Sequence, residues 1–456
     1  MAYLLLASAN QRLPRIDSLK NLALIYNKGI SHVLNQAEIL HKSFWKLCLS
    51  WDESMDHQQH QELAQQLALG GATLVLLGMP PGTEFGIDLK SWNVGERFRG
   101  VKMIPPGLHF VYFSAVSRQG DTAPRTGFFH IFGAREVLVR HYDPAAEDLT
   151  TQEASEEEVE RIRSNLREMD RFLGPYPLDL WQKWIALTQH VEERDLARVV
   201  PLSGRVCSAA ELIPVAPFVS SKSARQTTTT TTTTTDTTTT TTSSPDSTTT
   251  TDTPTPTDTP TPPTPSPRTA PQLPEMVFKE GTEFRYSSAP KRSYRDGADP
   301  SEVTRYSLDS SYSIRHRIQQ LDRPESLLAE FQVAFVSFLV GQVWGGWEHW
   351  RILIGELCRA EEVLVELPNL YVKLLSALHY QVNEIPEDLF VDIVEANNFL
   401  AAALATLFAN VNDNAAALPP ALALKARRFK QHITAKFGWD LSLEDEGEDA
   451  PVVVEV

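Results

Sequence analysis

Apolar positions along the chain change their period from helical to alternating and back to helical. Leu63 and Leu67 are spaced for a helix that stops at Gly70-Gly71, a natural C-terminal signal. From Ala72 the period shortens. Apolar runs at residues 72–77, 85–87, 101–104, 108–116, 126–132 and 136–142, separated by turn residues such as Pro105-Pro106-Gly107 and Gly120-Asp121, predict an antiparallel β-sandwich or barrel over residues 70–145. Leu108, Phe110 and Tyr112 alternate with His109, Val111 and Phe113, so this strand is apolar on both faces and belongs inside a sheet. Thr150-Thr-Gln-Glu153 fits a capping box and predicts a charged helix as far as residue 172, ended by Gly174-Pro175. A second helix, residues 178–188, places Trp181, Trp184 and Ile185 on one face.

Residues 220–275 interrupt this pattern with threonine runs and Thr-Pro repeats. Such composition cannot bury enough apolar surface to offset ordering, so a disordered Thr/Pro-rich linker is expected, spanning 201–276 overall. It reads as a tether whose shortening by residues 227–242 changes folding little. Thr253 and Ser266, each followed by proline, are candidate phosphorylation sites. Helical period then returns. Asp299-Pro-Ser-Glu302 and Asp322-Arg-Pro-Glu325 each offer a carboxylate cap before a Pro-containing first turn. Further helices are expected at 347–359, 361–382, 386–395, 397–410 and 418–437, giving an all-helical domain over 277–442, an independent bundle or short solenoid without a fixed repeat. The run 331–347 falls short of a membrane span and reads as one buried helix. The tail, 443–456, holds an acidic run and then Pro451-Val-Val-Val-Glu-Val456, which has strand propensity but no room for a hairpin. Val452, Val453, Val454, Glu455 and Val456 are therefore candidate partner-binding residues, acting by strand addition to an exposed sheet edge. The fold class is α+β.

Composition narrows the function. The 456 residues carry 42 Lys plus Arg against 58 Asp plus Glu, a net charge of −16 that disfavours duplex DNA and anionic membranes as partners. Cys48, Cys207 and Cys358 are far apart, without metal-knuckle or redox-pair spacing, and read as reduced thiols of an intracellular protein. Residues 1–54 differ in pattern from the rest of the chain and form an extension. Met55 reads as an alternative start, and residues 55–200 as the β-rich domain with appended helices. Gly78-Met-Pro-Pro-Gly-Thr lacks the Lys-Ser/Thr of a phosphate loop and reads as a turn. His57 and His60 read as exposed surface, and Cys358 as core. Trp344, Trp347 and Trp350 form a ridge at helical spacing, for which core packing is favoured over an exposed docking ridge. No catalytic, cofactor or metal residue is assigned. Two other readings remain: a helical-repeat adaptor with another client, or a cupin-like metalloenzyme with His109 and His130 as ligands.

The stretch Met79-Pro-Pro-Gly-Thr-Glu-Phe-Gly-Ile-Asp-Leu-Lys-Ser-Trp92, followed by Phe98-Arg-Gly-Val-Lys-Met-Ile-Pro-Pro-Gly-Leu-His-Phe110, strongly resembles the AAR-two family of spliceosome assembly factors. Phe172-Leu-Gly-Pro-Tyr-Pro177, Leu273-Pro-Glu-Met276, Phe331-Gln-Val-Ala-Phe335, Glu384-Ile-Pro-Glu-Asp-Leu-Phe-Val-Asp-Ile-Val394 and Pro451-Val-Val-Val-Glu455 extend the match in order along both folded regions. The resemblance implies a non-enzymatic factor in U-five small nuclear ribonucleoprotein biogenesis, in the cytoplasm and compatible with the nucleus. It further implies binding to the scaffold protein Prp-eight, at its RNase H-like and Jab/MPN-like domains, which keeps the Brr-two helicase from joining prematurely. The 54-residue extension and the threonine tract depart from the family pattern.

Overall fold

A computed structural model describes residues 57–117, 119–150, 152–214, 276–385, 399–439 and 441. The extension, residues 386–398 and the tail lie outside them. The main compact unit comprises the described residues up to 210 and from 280 onward.

After helix α1 (His57–Gly70), strands β1 (Ala72–Leu77), β4 (Gly100–Ile104), β7 (Val137–Asp143), β8 (Asp148–Leu149) and β9 (Leu173–Pro175) make one five-stranded sheet in the order β8-β7-β1-β4-β9. Strands β2 (Glu84–Ile87), β3 (Lys90–Asn93), β5 (Gly107–Ser114), β6 (Thr126–Phe132) and β10 (Val206–Cys207) make the other, in the order β10-β6-β5-β2-β3. The second sheet is antiparallel throughout. The first is not: β1 runs parallel to β7, and β4 runs parallel to β9. The expected sandwich is therefore present but mixed, because the chain crosses from one sheet to the other before returning to pair. Gly100 sits at φ +136°, and a Cβ there would lie 1.9 Å from Leu74 O, so only glycine lets β4 approach β1 at this point.

Leu74, Leu76, Val101 and Ile104 of the first sheet meet Phe85, Ile87, Val111 and Phe113 of the second in one buried core. The first sheet's outer face, with Val75, Val137 and Val139, packs on Ile162 of α2 (Glu156–Ser164). This helix begins later than the capping box implied. Ser155, not Thr150, accepts the amide of Glu158 at 3.2 Å, and Ser155-x-x-Glu158 repeats the same signature five residues on. A short helix α3 (Leu166–Met169) follows, then α4 (Trp181–Thr188) and α5 (Glu193–Val199), the last not foreseen in sequence.

The helical part contains α6 (Pro300–Leu308), α7 (Ser311–Ile318), α8 (Glu325–Leu339), α9 (Trp344–Arg359), α10 (Glu361–Glu366), α11 (Pro368–Glu384), α12 (Phe399–Asp413) and α13 (Pro420–Phe437). Asp299 caps α6 as expected, accepting the Glu302 amide at 2.8 Å. Asp322 does not cap α8, whose N-cap position is taken by Pro324. Pro368 splits the expected 361–382 helix into α10 and α11, since it cannot supply an amide to a continuous ladder. The apolar run 331–347 likewise spans two helices, with Gln342 at φ +57° in the break. These helices do not form a separate bundle. Phe110 and Tyr112 on the outer face of β5 share one buried cluster with Phe331, Phe335, Trp350 and Tyr371.

Residues 211–279 form a second unit, of which a two-stranded ribbon is described: β11 (Leu212–Pro214) antiparallel to β12 (Met276–Phe278). The amide of Lys279 donates to Glu211 O at 2.8 Å, extending this ladder. Within the main unit, the amide of Ser203 donates to Gly281 O at 3.0 Å. The stretch read as linker thus contains paired strand at both its ends.

Candidate functional site

Three of the sequence motifs meet at one buried polar node. Asp88 adopts φ +53° at the end of β2 and is 1% exposed. Its Oδ2 accepts from His109 Nδ1 at 2.6 Å and from the Tyr176 hydroxyl at 2.6 Å, while Oδ1 accepts from the Phe110 amide at 2.9 Å. His109 Nε2 lies 2.8 Å from Pro105 O, so both ring nitrogens have partners inside the protein. Burial, and then the neighbouring Asp88 charge, raise the Tyr176 phenol well above its ordinary value. The node holds β2, β5 and the segment after β9 together. With His109 sealed and every Asp88 contact satisfied inside the protein, it is a positioning device.

His130 lies directly opposite His109 in the β5–β6 register, but it pairs with its own carboxylate, Glu136, at 2.8 Å. Among the described residues no group of three or more His, Cys, Asp and Glu could hold a metal ion. The cupin-like alternative therefore has no ligand set in His109 and His130. Cys358 is buried in the helical core, and burial pushes its thiol up to about 12, as suits a packing residue. Among the described residues no helix is long and apolar enough to cross a membrane.

A second node ties α5 and the segment around Ser287 to the helical part. The segment following residue 280 passes between α5 and α8, and the Arg285 amide and side chain donate to carbonyls of residues 197–200. Glu330 on α8 is fully buried and accepts the Ser287 amide and hydroxyl, His349 Nε2 at 2.7 Å and Arg198 Nη1 at 2.9 Å. Burial pushes Glu330 up, yet the His349 and Ser287 bonds outweigh it and hold the carboxyl below the usual range. Arg317 reaches Ser287 O and pairs with Glu356 at 2.7 Å. Gln332, inside the Phe331–Phe335 motif, accepts the His190 amide and donates to Ala186 O. Sequence reasoning identified this motif but not its partners, which lie more than a hundred residues away.

Exposed apolar surface and an open groove remain on the helices. The tryptophan ridge divides: Trp347 and Trp350 are core, while Trp344 is 63% exposed at the start of α9. An open groove of about 990 Å³, lined by Tyr306, Leu308, Arg359, Val365, Thr406 and Asn410, runs between α6, α10 and α12. Val452, Val453, Val454, Glu455 and Val456, with Thr253 and Ser266, lie outside the described residues.

The AAR2 N-terminal domain model matches residues 70–201, and the AAR2 C-terminal repeat region model matches residues 286–442. The Protein AAR2 homolog of Homo sapiens is 38% identical over 403 residues, covering 88% of this chain and 97% of the relative. The chain belongs to the AAR2 family. The AAR2 homolog of Mus musculus agrees to the same extent, and that of Caenorhabditis elegans is 34% identical over 388 residues, or 98% of its length. The two AAR2 matches bracket the sandwich with its helices and the helical part, so both buried nodes lie in or beside matched residues.

Proposed function

We propose that this chain is a non-enzymatic assembly factor in pre-mRNA splicing. The observation that carries the reading is AAR2 membership across both folded parts, at 38% identity over nearly the whole length of the relatives. In the finer form of the proposal, the chain acts in U-five snRNP biogenesis, in the cytoplasm and compatibly with the nucleus. There it engages a Prp-eight-like scaffold through the RNase H-like and Jab/MPN-like domains and delays Brr-two-like helicase joining.

The tail is the proposed contact. Pro451 cannot donate an amide and marks a strand start, after which Val452 to Val456 offer backbone groups to a partner's sheet edge. Burying one valine fully contributes about 1.5 kcal/mol or more. A chain ending at Glu448 should keep its melting temperature and bind the purified scaffold more weakly. Unchanged binding, or a collapsed melting temperature, overturns the strand-addition contact. If the full-length chain fails to bind the scaffold at all, the assembly-factor reading itself falls.

A further inference from the structure

Helix α13 is unlike the rest of this acidic chain. It carries Lys425, Arg427, Arg428, Lys430 and Lys436 and no Asp or Glu. Leu422, Ala426, Phe429 and Ile433 bury one face, which leaves Arg427 and Arg428 in the middle of the exposed face, with Lys430 on one flank and Lys436 on the other. Among the described residues no ion pair engages Arg427, Arg428, Lys430 or Lys436. Helix α7 makes the contrast: its Arg315 and Arg317 are taken by Glu362, Glu366 and Glu356.

The flank facing α11 is also cationic. Lys436 Nζ and His432 Nε2 both meet Asn383 Oδ1, at 3.3 and 3.0 Å, and the His432 and His379 rings lie 4.4 Å apart. Burial, then the neighbouring His432, Lys425 and Lys436, lower His379 to about 4; burial and Lys436 also lower His432. A negative group brought to this face would be favoured by Arg427 and Arg428 and by the lysine charges on the flank.

The chain itself supplies one. Glu444, Asp445, Glu446, Glu448 and Asp449 match the five basic residues of α13 in number and come directly after it in sequence. Gly438 ends the helix at φ +68°, a left-handed cap that turns the chain, and Leu441 is buried in the helical core. Residues 442–449 can extend at most about 3.3–3.6 Å each, enough to run back along much of an 18-residue helix of about 1.5 Å rise per residue. We propose that the exposed basic face of α13 docks this chain's own acidic run, residues 444–449, folding the tail back onto the helix it follows. The inference does not depend on which partner the terminal strand meets.

Carbodiimide cross-linking of the full-length chain, with peptide mapping of the monomer fraction, tests this directly. Amide bonds between Lys425, Lys430 or Lys436 and residues 444–449 are expected. They should diminish at high salt, and by about fivefold or more in the Arg427→Glu/Arg428→Glu double variant, whose reporter lysines are intact. Absence of these bonds, their confinement to cross-linked dimers, capture of residues 387–395 instead, or indifference to the double variant would each overturn the docking. A second measurement separates a nucleic-acid face from a tail site. A chain ending at Ser442 should bind a single-stranded RNA oligonucleotide about tenfold more tightly than the full chain, because an attached competitor is gone. Equal binding by the two would mean that the face is open to phosphates and the proposal is wrong.

Discussion

At the scale of single residues, the Asp88 carboxylate gathers three buried hydrogen bonds inside the sandwich. Breaking a buried carboxylate–imidazole pair by removing one partner costs about 3–5 kcal/mol. Asp88→Asn should lose about that much in denaturant unfolding, whereas Tyr176→Phe, which deletes one hydrogen bond to a charged group, should lose about 1.5–3 kcal/mol. Equal and small losses would show that the node does not hold the sheets. His190 and His379 make a different contribution. Burial, followed by Lys373 for His190 and by His432, Lys425 and Lys436 for His379, lowers both to about 4 from 6.5. The unfolded chain then binds more protons than the folded one between these values, so stability is full above pH about 6.5 and falls as pH drops toward 4. Glu325, Glu330 and Glu362 are held below 4.5, so their contribution is lost only at lower pH. Melting temperature should therefore already decline between pH about 6.5 and 5, and His190→Gln should flatten that decline. Asp88 and His109 both stood in readable motifs, yet their bond was not readable, because Asp88 must enter the left-handed region to make it.

Elements were more legible than contacts. The β5 strand was readable because it is apolar on both faces, and the structure gives each face a different core. Parallel pairing in the first sheet was not readable, since local alternation carries no information about strand direction. The α2 start shows how a real signal can be misplaced: two capping-box sequences stand five residues apart, and only Ser155 has an amide to receive. Ser155→Ala should cost about 1 kcal/mol, and Thr150→Ala less than about 0.5 kcal/mol, in thermal or urea unfolding. The reverse order would return the helix start to residue 150. Trp344 left the ridge because α9 begins there, one turn before its buried face closes over Phe331 and Phe335.

For the whole molecule, the threonine-rich stretch changes meaning once its ends are located. A tether sets how far apart two bodies may move, but here Ser203 meets Gly281, and Glu211 meets Lys279, at the ends of the stretch. Its length then enters stability only through loop closure, at roughly 0.6 kcal/mol for each doubling. Replacing residues 216–274 with a short Gly/Ser turn should raise stability by no more than about 2 kcal/mol and leave the unfolding transition cooperative. A large loss of stability, measured by calorimetry, would refute closure at the base. Composition made this stretch easy to find; nothing in threonine runs states that β11 and β12 return to each other.

The shared core of β5 and α8 also sets a schedule for synthesis. Phe110 and Tyr112 leave the ribosome more than two hundred residues ahead of Phe331 and Phe335, the side chains that share their core. At bacterial to eukaryotic elongation rates of about 5–20 residues per second, that aromatic face waits roughly 10–45 seconds for its cover. The nascent sandwich spends this interval with an apolar side turned to water, and the threonine stretch, translated in between, lengthens the wait.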